Sequence, residues 1–140
     1  AANVRPGCEG LVAFPRADLS PGLTGFGNVK EIHRHGHFVR AILESTAMSL
    51  NLLLSGIPDS SGKGIVSTGG GAQSRLWTEI KAKITGRVFY LPEYSETACL
   101  GAAMLAASVT GNSGNLKEIS GKLAAFKETI CPVSGNQESA

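Results

Sequence analysis

Long apolar runs are missing from this chain. No stretch approaches the roughly 18 consecutive apolar residues of a membrane-spanning helix, and no signal peptide is visible, so no membrane partner is expected. Charge of one sign is scarce too: 13 Lys and Arg stand against 11 Asp and Glu, a net +2. No Lys/Arg cluster lies along one face, which argues against nucleic acid or an acidic membrane surface. Cysteine is rare. Cys8, Cys99 and Cys131 are odd in number and far apart, so a disulfide framework and a zinc site both lack their spacing, and a reducing, cytoplasmic setting is expected. His33, His35 and His37 have no carboxylate or cysteine at ligand spacing; an exposed helix start is expected there, with no metal site. Two phosphate-binding patterns are absent as well. G-x-G-x-x-G would need glycine where Ser74 stands, and in the G-x-x-x-x-G-K-[ST] pattern Lys63 is followed by Gly64.

What the chain has is glycine, 18 of them, and a 42% hydrophobic fraction over 140 residues, enough to bury about two-thirds of the unfolded surface in one domain. Ala1, not Met, leads almost at once into an apolar strand, as expected for a piece of something longer. The most informative stretch runs from Gly64 to Trp77. Ile65 and Val66 form a short β-branched run, Gly69, Gly70 and Gly71 follow, and an amphipathic helix is expected from about Ser74. Glycines remove every Cβ, so a flat ligand can lie against the main chain. The helix start adds free N–H groups and partial positive charge. A nucleotide is the natural guest.

In chain order, Leu11–Phe14 reads as a strand stopped by Pro15. A loop to Val29 follows, with a brief strand around Leu23 to Phe26. From Arg34 to Ser55, Val39, Leu43, Ala47, Leu50 and Leu54 repeat at three and four, predicting a long helix closed at Gly56 and Pro58. Glu44 is expected to pair with Arg40, four residues earlier. After the glycines, Leu76, Ile80 and Ile84 share a helical face, with Trp77 beside it as core, Lys81 outside it, and Gly86 at the end. Arg87–Leu91 reads as a strand ended by Pro92. Ser95 is expected to cap an alanine-rich helix from Thr97 to Ser108, in which Cys99 is a small buried residue. Leu116, Ile119, Leu123, Phe126 and Ile130 predict a last amphipathic helix, and the tail beyond Pro132 has no pattern. Strands alternating with helices predict an α/β fold with a parallel or mixed sheet, its ligand site beyond the C-terminal strand ends.

The run Gly69-Gly70-Gly71-Ala72-Gln73-Ser74-Arg75-Leu76-Trp77, then Ile80-Lys81-Ala82, Gly86-Arg87, Pro92, Glu96-Thr97-Ala98 and Leu100-Gly101-Ala102-Ala103, resembles the C-terminal domain of FGGY carbohydrate kinases. His37 to Glu44 resembles the second half of that family's signature, whose first half is departed from at Thr24 and Asn28. The resemblance implies a ribonuclease H-like, actin-like ATPase domain, a mixed sheet flanked by helices. Residues 1–132 would be a fragment of that domain and residues 133–140 a disordered tail. It implies transfer of the ATP γ-phosphoryl group to a sugar or polyol hydroxyl, with an N-terminal domain as partner and a homodimer left open. Carried over by position, Gly69, Gly70, Gly71, Ala72, Gln73, Ser74 and Arg75 would hold the adenosine part: Gly71 and Ala72 against adenine or ribose, Arg75 beside the base. The catalytic base and most groups that hold Mg²⁺, phosphates and sugar would precede this stretch. A non-catalytic actin-like nucleotide-binding module and a ligand-free α/β domain are the other readings.

Overall fold

The computed structural model describes residues 1–14, 25–58, 62–110, 116–123 and 125–132. Strands β1 (Val12–Phe14) and β2 (Gly25–Gly27) come first, then helix α1 (His35–Ser55) and strand β3 (Ile65–Val66). Helix α2 (Arg75–Thr85), strand β4 (Phe89–Pro92), helix α3 (Thr97–Val109), helix α4 (Leu116–Leu123) and strand β5 (Phe126–Ile130) follow. β1 and β2 pair antiparallel, Ala13 opposite Phe26. The second sheet runs β3-β4-β5. Its β3–β4 pair is parallel, with Ile65 opposite Phe89, and its β4–β5 pair is antiparallel, with Phe89 opposite Ile130. The sheet is therefore mixed. Pro92, which has no N–H to give a ladder, sits in β4 where the register shifts.

Two cores result. Ala72, Ala82, Phe89, Leu91 and Ile130 are buried together, with Leu50 of α1 packed against them. Phe89 is 1% exposed, and burying such a ring contributes roughly 1.5–3 kcal/mol. The other core is Cys8, Leu11, Ala13 and Ala41, with Val4 and Phe38 at its edge. Helix α1 serves both, packing on α2 and on β1, and the Ser45 hydroxyl donates to the Ala13 carbonyl at 2.7 Å.

Glu44 is the polar centre of the second core. Arg40 Nε donates to its Oε1 at 2.7 Å, the Gly7 N–H to its Oε2 at 3.0 Å, and the Cys8 thiol to the same oxygen at 3.8 Å. The expected Arg40–Glu44 pair is thus present. Burial first, and the Glu44 charge second, push the Cys8 thiol up to about 11.

The predicted helix from 34 to 55 forms, but its ends differ in detail. Gly56 closes it in the right-handed conformation, its N–H on the Leu53 carbonyl and the Ile57 N–H on the Leu54 carbonyl, so the left-handed freedom of glycine is not used. His33 is buried, not exposed. Its Nδ1 accepts the Lys30 N–H at 2.9 Å, and its ring meets Phe38 and His37. His37 Nδ1 reaches back to the Arg34 N–H at 3.0 Å, satisfying one N-terminal donor.

Three further expectations are corrected. The segment from Leu116 to Ile130 is not one helix: α4 ends at Leu123 and Phe126–Ile130 is β5. The open edge of β4 takes that strand and buries Ile130 opposite Phe89. Glu96, not Ser95, holds the N-cap position of α3, with no side-chain cap. Cys99 is exposed, because α3 has no buried residue at all. The body of the loop from Pro15 to Thr24 and the tail beyond Pro132 lie outside the described residues, although Phe26 does belong to β2. Among the described residues no helix is long and apolar enough to cross a membrane.

Candidate functional site

β3 and β4 run parallel into the glycine stretch, which lies past their C-terminal ends. Gly70–Gln73 forms one short 3-10 turn, and Ser74 then caps α2, its hydroxyl accepting the Trp77 N–H at 3.4 Å. Gly86, at φ 65, closes that helix in the left-handed region, as its position predicts.

The three glycines are there for three different reasons. Gly69 has φ 76 and ψ −173, a conformation essentially reserved for glycine, and its N–H donates to the Ser95 carbonyl at 3.3 Å. Gly71 faces Trp77 so closely that an added Cβ would lie 2.5 Å from the ring. Gly70 is exposed, its φ is ordinary, and a Cβ there would meet nothing within 4 Å. The fold itself thus asks for glycine at 69 and 71 and not at 70. Open space over a bare main chain is left at 69 and 70, and only at 70 does the backbone conformation not itself require glycine.

The neighbours divide in the same way. Ala72 is buried in the first core, so its methyl is spent on Phe89 and its neighbours, and what it offers a ligand is main chain. Gln73 is exposed beside Gly70. Arg75 is held by two carboxylates, with Nε on Glu79 at 2.8 Å and a second nitrogen on Glu128 of β5. The Glu79 hydrogen bond, then the Glu128 charge, hold the guanidinium above its ordinary pKa. Arg75 also lines a cavity of about 490 Å³ with Glu79, Lys83 and Ile130, on the β5 side of α2. Gly69 to Ser74 are therefore brought together at one turn, while the Arg75 side chain is drawn toward β5.

Sequence reasoning missed Lys81. Its Nζ donates to the Ser67 hydroxyl at 3.1 Å and lies 4.8 Å from the centre of the Trp77 ring. Half-buried under the loop, its ammonium is pushed to a lower pKa by desolvation. The signal was the spacing of four from Trp77, which puts both on one side of α2.

Residues 5–109 match the FGGY family of carbohydrate kinases, C-terminal domain. The chain is 34% identical over 130 residues to a gluconokinase of Bacillus licheniformis, covering 86% of this chain and 25% of that protein. It is 32% identical over 113 residues to the L-xylulose/3-keto-L-gulonate kinase of Escherichia coli, covering 78% and 22%. Its structure superposes on that of a xylulose kinase from Rhodospirillum rubrum with a TM-score of 0.74 and 28% identity, covering 95% of this chain and 28% of that one. The chain spans about a quarter of the length of the curated relatives it matches, and its helix-flanked mixed sheet is part of the actin-like ATPase fold of such kinases. It belongs to the FGGY family of carbohydrate kinases.

Proposed function

We propose that this chain supplies the adenosine-binding part of an enzyme that transfers the ATP γ-phosphoryl group to a sugar or polyol hydroxyl. The observation that carries the reading is Gly70, a bare and open main-chain position that the fold does not require to be glycine. Gly69, Gly70 and Gly71 with the main chain of Ala72 form the shelf for the purine. Gln73 and Ser74 border it, and Arg75 reaches the base by leaving Glu128. The gluconokinase and xylulose-kinase relatives point to a sugar or polyol acceptor held largely by the N-terminal part. Phosphoryl transfer rests on positioning and on charge stabilisation around the γ-phosphate, which Mg²⁺ supplies when bound. Among the described residues no three His, Cys, Asp or Glu side chains converge as a metal site, so this chain's share is to orient the nucleotide from its adenosine end. The same reading places the enzyme in the cytoplasm and leaves self-association to the exposed face of α3, where Leu105 and Val109 stand in solvent.

The test uses the chain itself. Trp77 is the single tryptophan and touches the loop, so its fluorescence reports on ADP. Saturation is expected in the millimolar range, about −4 kcal/mol, together with no sugar-dependent ATP turnover. No response at millimolar ADP counts against the shelf, and robust turnover by the chain alone counts against the division of labour.

A further inference from the structure

We propose that Lys81 is a positioning residue for the glycine loop, fixing it from beneath at both ends so that the purine shelf exists before nucleotide arrives; this rests on the nucleotide reading above. β3 is two residues long, and beyond it only the Ser67 N–H, on the Tyr90 carbonyl at 2.9 Å, continues the ladder. The chain then passes into consecutive glycines, which lose more conformational freedom on ordering than any other residue. Beyond the strand, the loop entrance is held by the Gly69 N–H on the Ser95 carbonyl at 3.3 Å and by one side chain. Lys81 donates to Ser67 at that entrance and lies over the face of Trp77, the ring against which Gly71 is packed at the loop exit.

A lysine on a surface helix can keep its ammonium in water while its stem packs. This one is only partly in water: the group is half-buried, its nitrogen 5.5 Å from the centre of the Phe89 ring as well. Desolvation disfavours that charge, and the Ser67 hydroxyl and two aromatic faces offset it. The contacts connect α2, the end of β3 and the ring under Gly71 through one atom. Ordering the loop in advance leaves less entropy for the ligand to remove, which is how preorganisation raises affinity.

Lys81→Met keeps the stem and removes the charge and the donor; Lys81→Arg keeps both. In the ligand-free chain, Lys81→Met is expected to shift the Trp77 emission. It should also speed exchange of the Ala72 amide, which donates to the Gly69 carbonyl, about tenfold relative to the amides of α2. ADP binding should weaken about tenfold, and Lys81→Arg should restore most of each effect. Ser67→Ala, which cuts the same bond from the other side, is expected to move all three readouts in the same direction by less. Unchanged Ala72 exchange in both Lys81→Met and Ser67→Ala overturns the proposal, as does unchanged ADP affinity of Lys81→Met where the parent chain binds ADP. A parent chain that ignores ADP overturns the nucleotide reading instead, and the exchange data then decide alone whether Lys81 orders the loop.

Discussion

Gly70→Val is expected to weaken ADP binding at least about tenfold, roughly 1.4 kcal/mol, while the unfolding temperature stays close to that of the parent chain. The added side chain stands in open space, since no atom lies within 4 Å of a Cβ at 70, and the backbone there is not in the left-handed region. Gly71→Val is expected to behave the opposite way. Its Cβ would fall 2.5 Å from the Trp77 ring, so ring or turn must move, and overpacking of that kind costs about 1–3 kcal/mol. Loss of ADP binding by Gly71→Val would therefore say little about the ligand, whereas loss by Gly70→Val with an intact fold can only come from the occupied space. Calorimetric titration with ADP beside thermal unfolding of both variants separates the two effects. An unchanged ADP affinity in Gly70→Val removes the purine from this turn.

The contrast between neighbouring glycines shows where a linear reading stops. That a short β-branched run, a glycine triplet and a capped amphipathic helix follow one another is written in residue types and their spacing. Ile65, Val66, Ser74 and Gly86 all stand where that reading puts them. Which glycine serves the fold and which is free is decided by contacts with Ser95 and Trp77, residues whose approach depends on tertiary packing. β5 escaped for a related reason. Phe126 and Ile130 are four apart and continue the spacing of Leu116 and Leu123, so periodicity alone favours a helix; the unpaired edge of β4 overrides it. Charge puts Lys81 outside the apolar face, where charged residues usually stand, and only the folded packing brings the hydroxyl and rings to its nitrogen. The Arg40–Glu44 pair was legible, being a helical spacing of four. Its further partners, Gly7 and Cys8, lie more than thirty residues away and were not.

Those partners make Glu44→Ala the substitution with the largest expected cost to stability, about 3–5 kcal/mol, the range for removing one member of a buried ion pair. Among the described residues Arg40, 8% exposed, would keep only the Ala1 carbonyl at 3.4 Å, and the Gly7 N–H and the Cys8 thiol would lose their Glu44 acceptor. The turn above depends on that acceptor. Gly7, Cys8, Glu9 and Gly10 all have positive φ, at 82, 51, 53 and 86, and for the two non-glycine residues this costs roughly 1–2 kcal/mol each. The carboxylate that receives Gly7 and Cys8 helps to hold the chain in that shape. Cys8 supplies an independent readout. Its folded pKa is raised from 9.0 to about 11, so the neutral thiol contributes stability that is complete below pH 9 and is lost as pH rises through 11. At pH 8 iodoacetamide is therefore expected to modify the exposed Cys99 and Cys131 and to spare Cys8. In Glu44→Ala the repelling charge is gone and the turn is loosened, so Cys8 should become reactive, and with its folded pKa brought back toward 9.0 the stability lost between pH 9 and pH 11 should be smaller than in the parent. Chemical denaturation across pH 7–11 with mass spectrometry of the alkylated chain tests both. A Glu44→Ala chain as stable as its parent, with Cys8 still protected, would mean that the turn holds itself and that Glu44 only follows it.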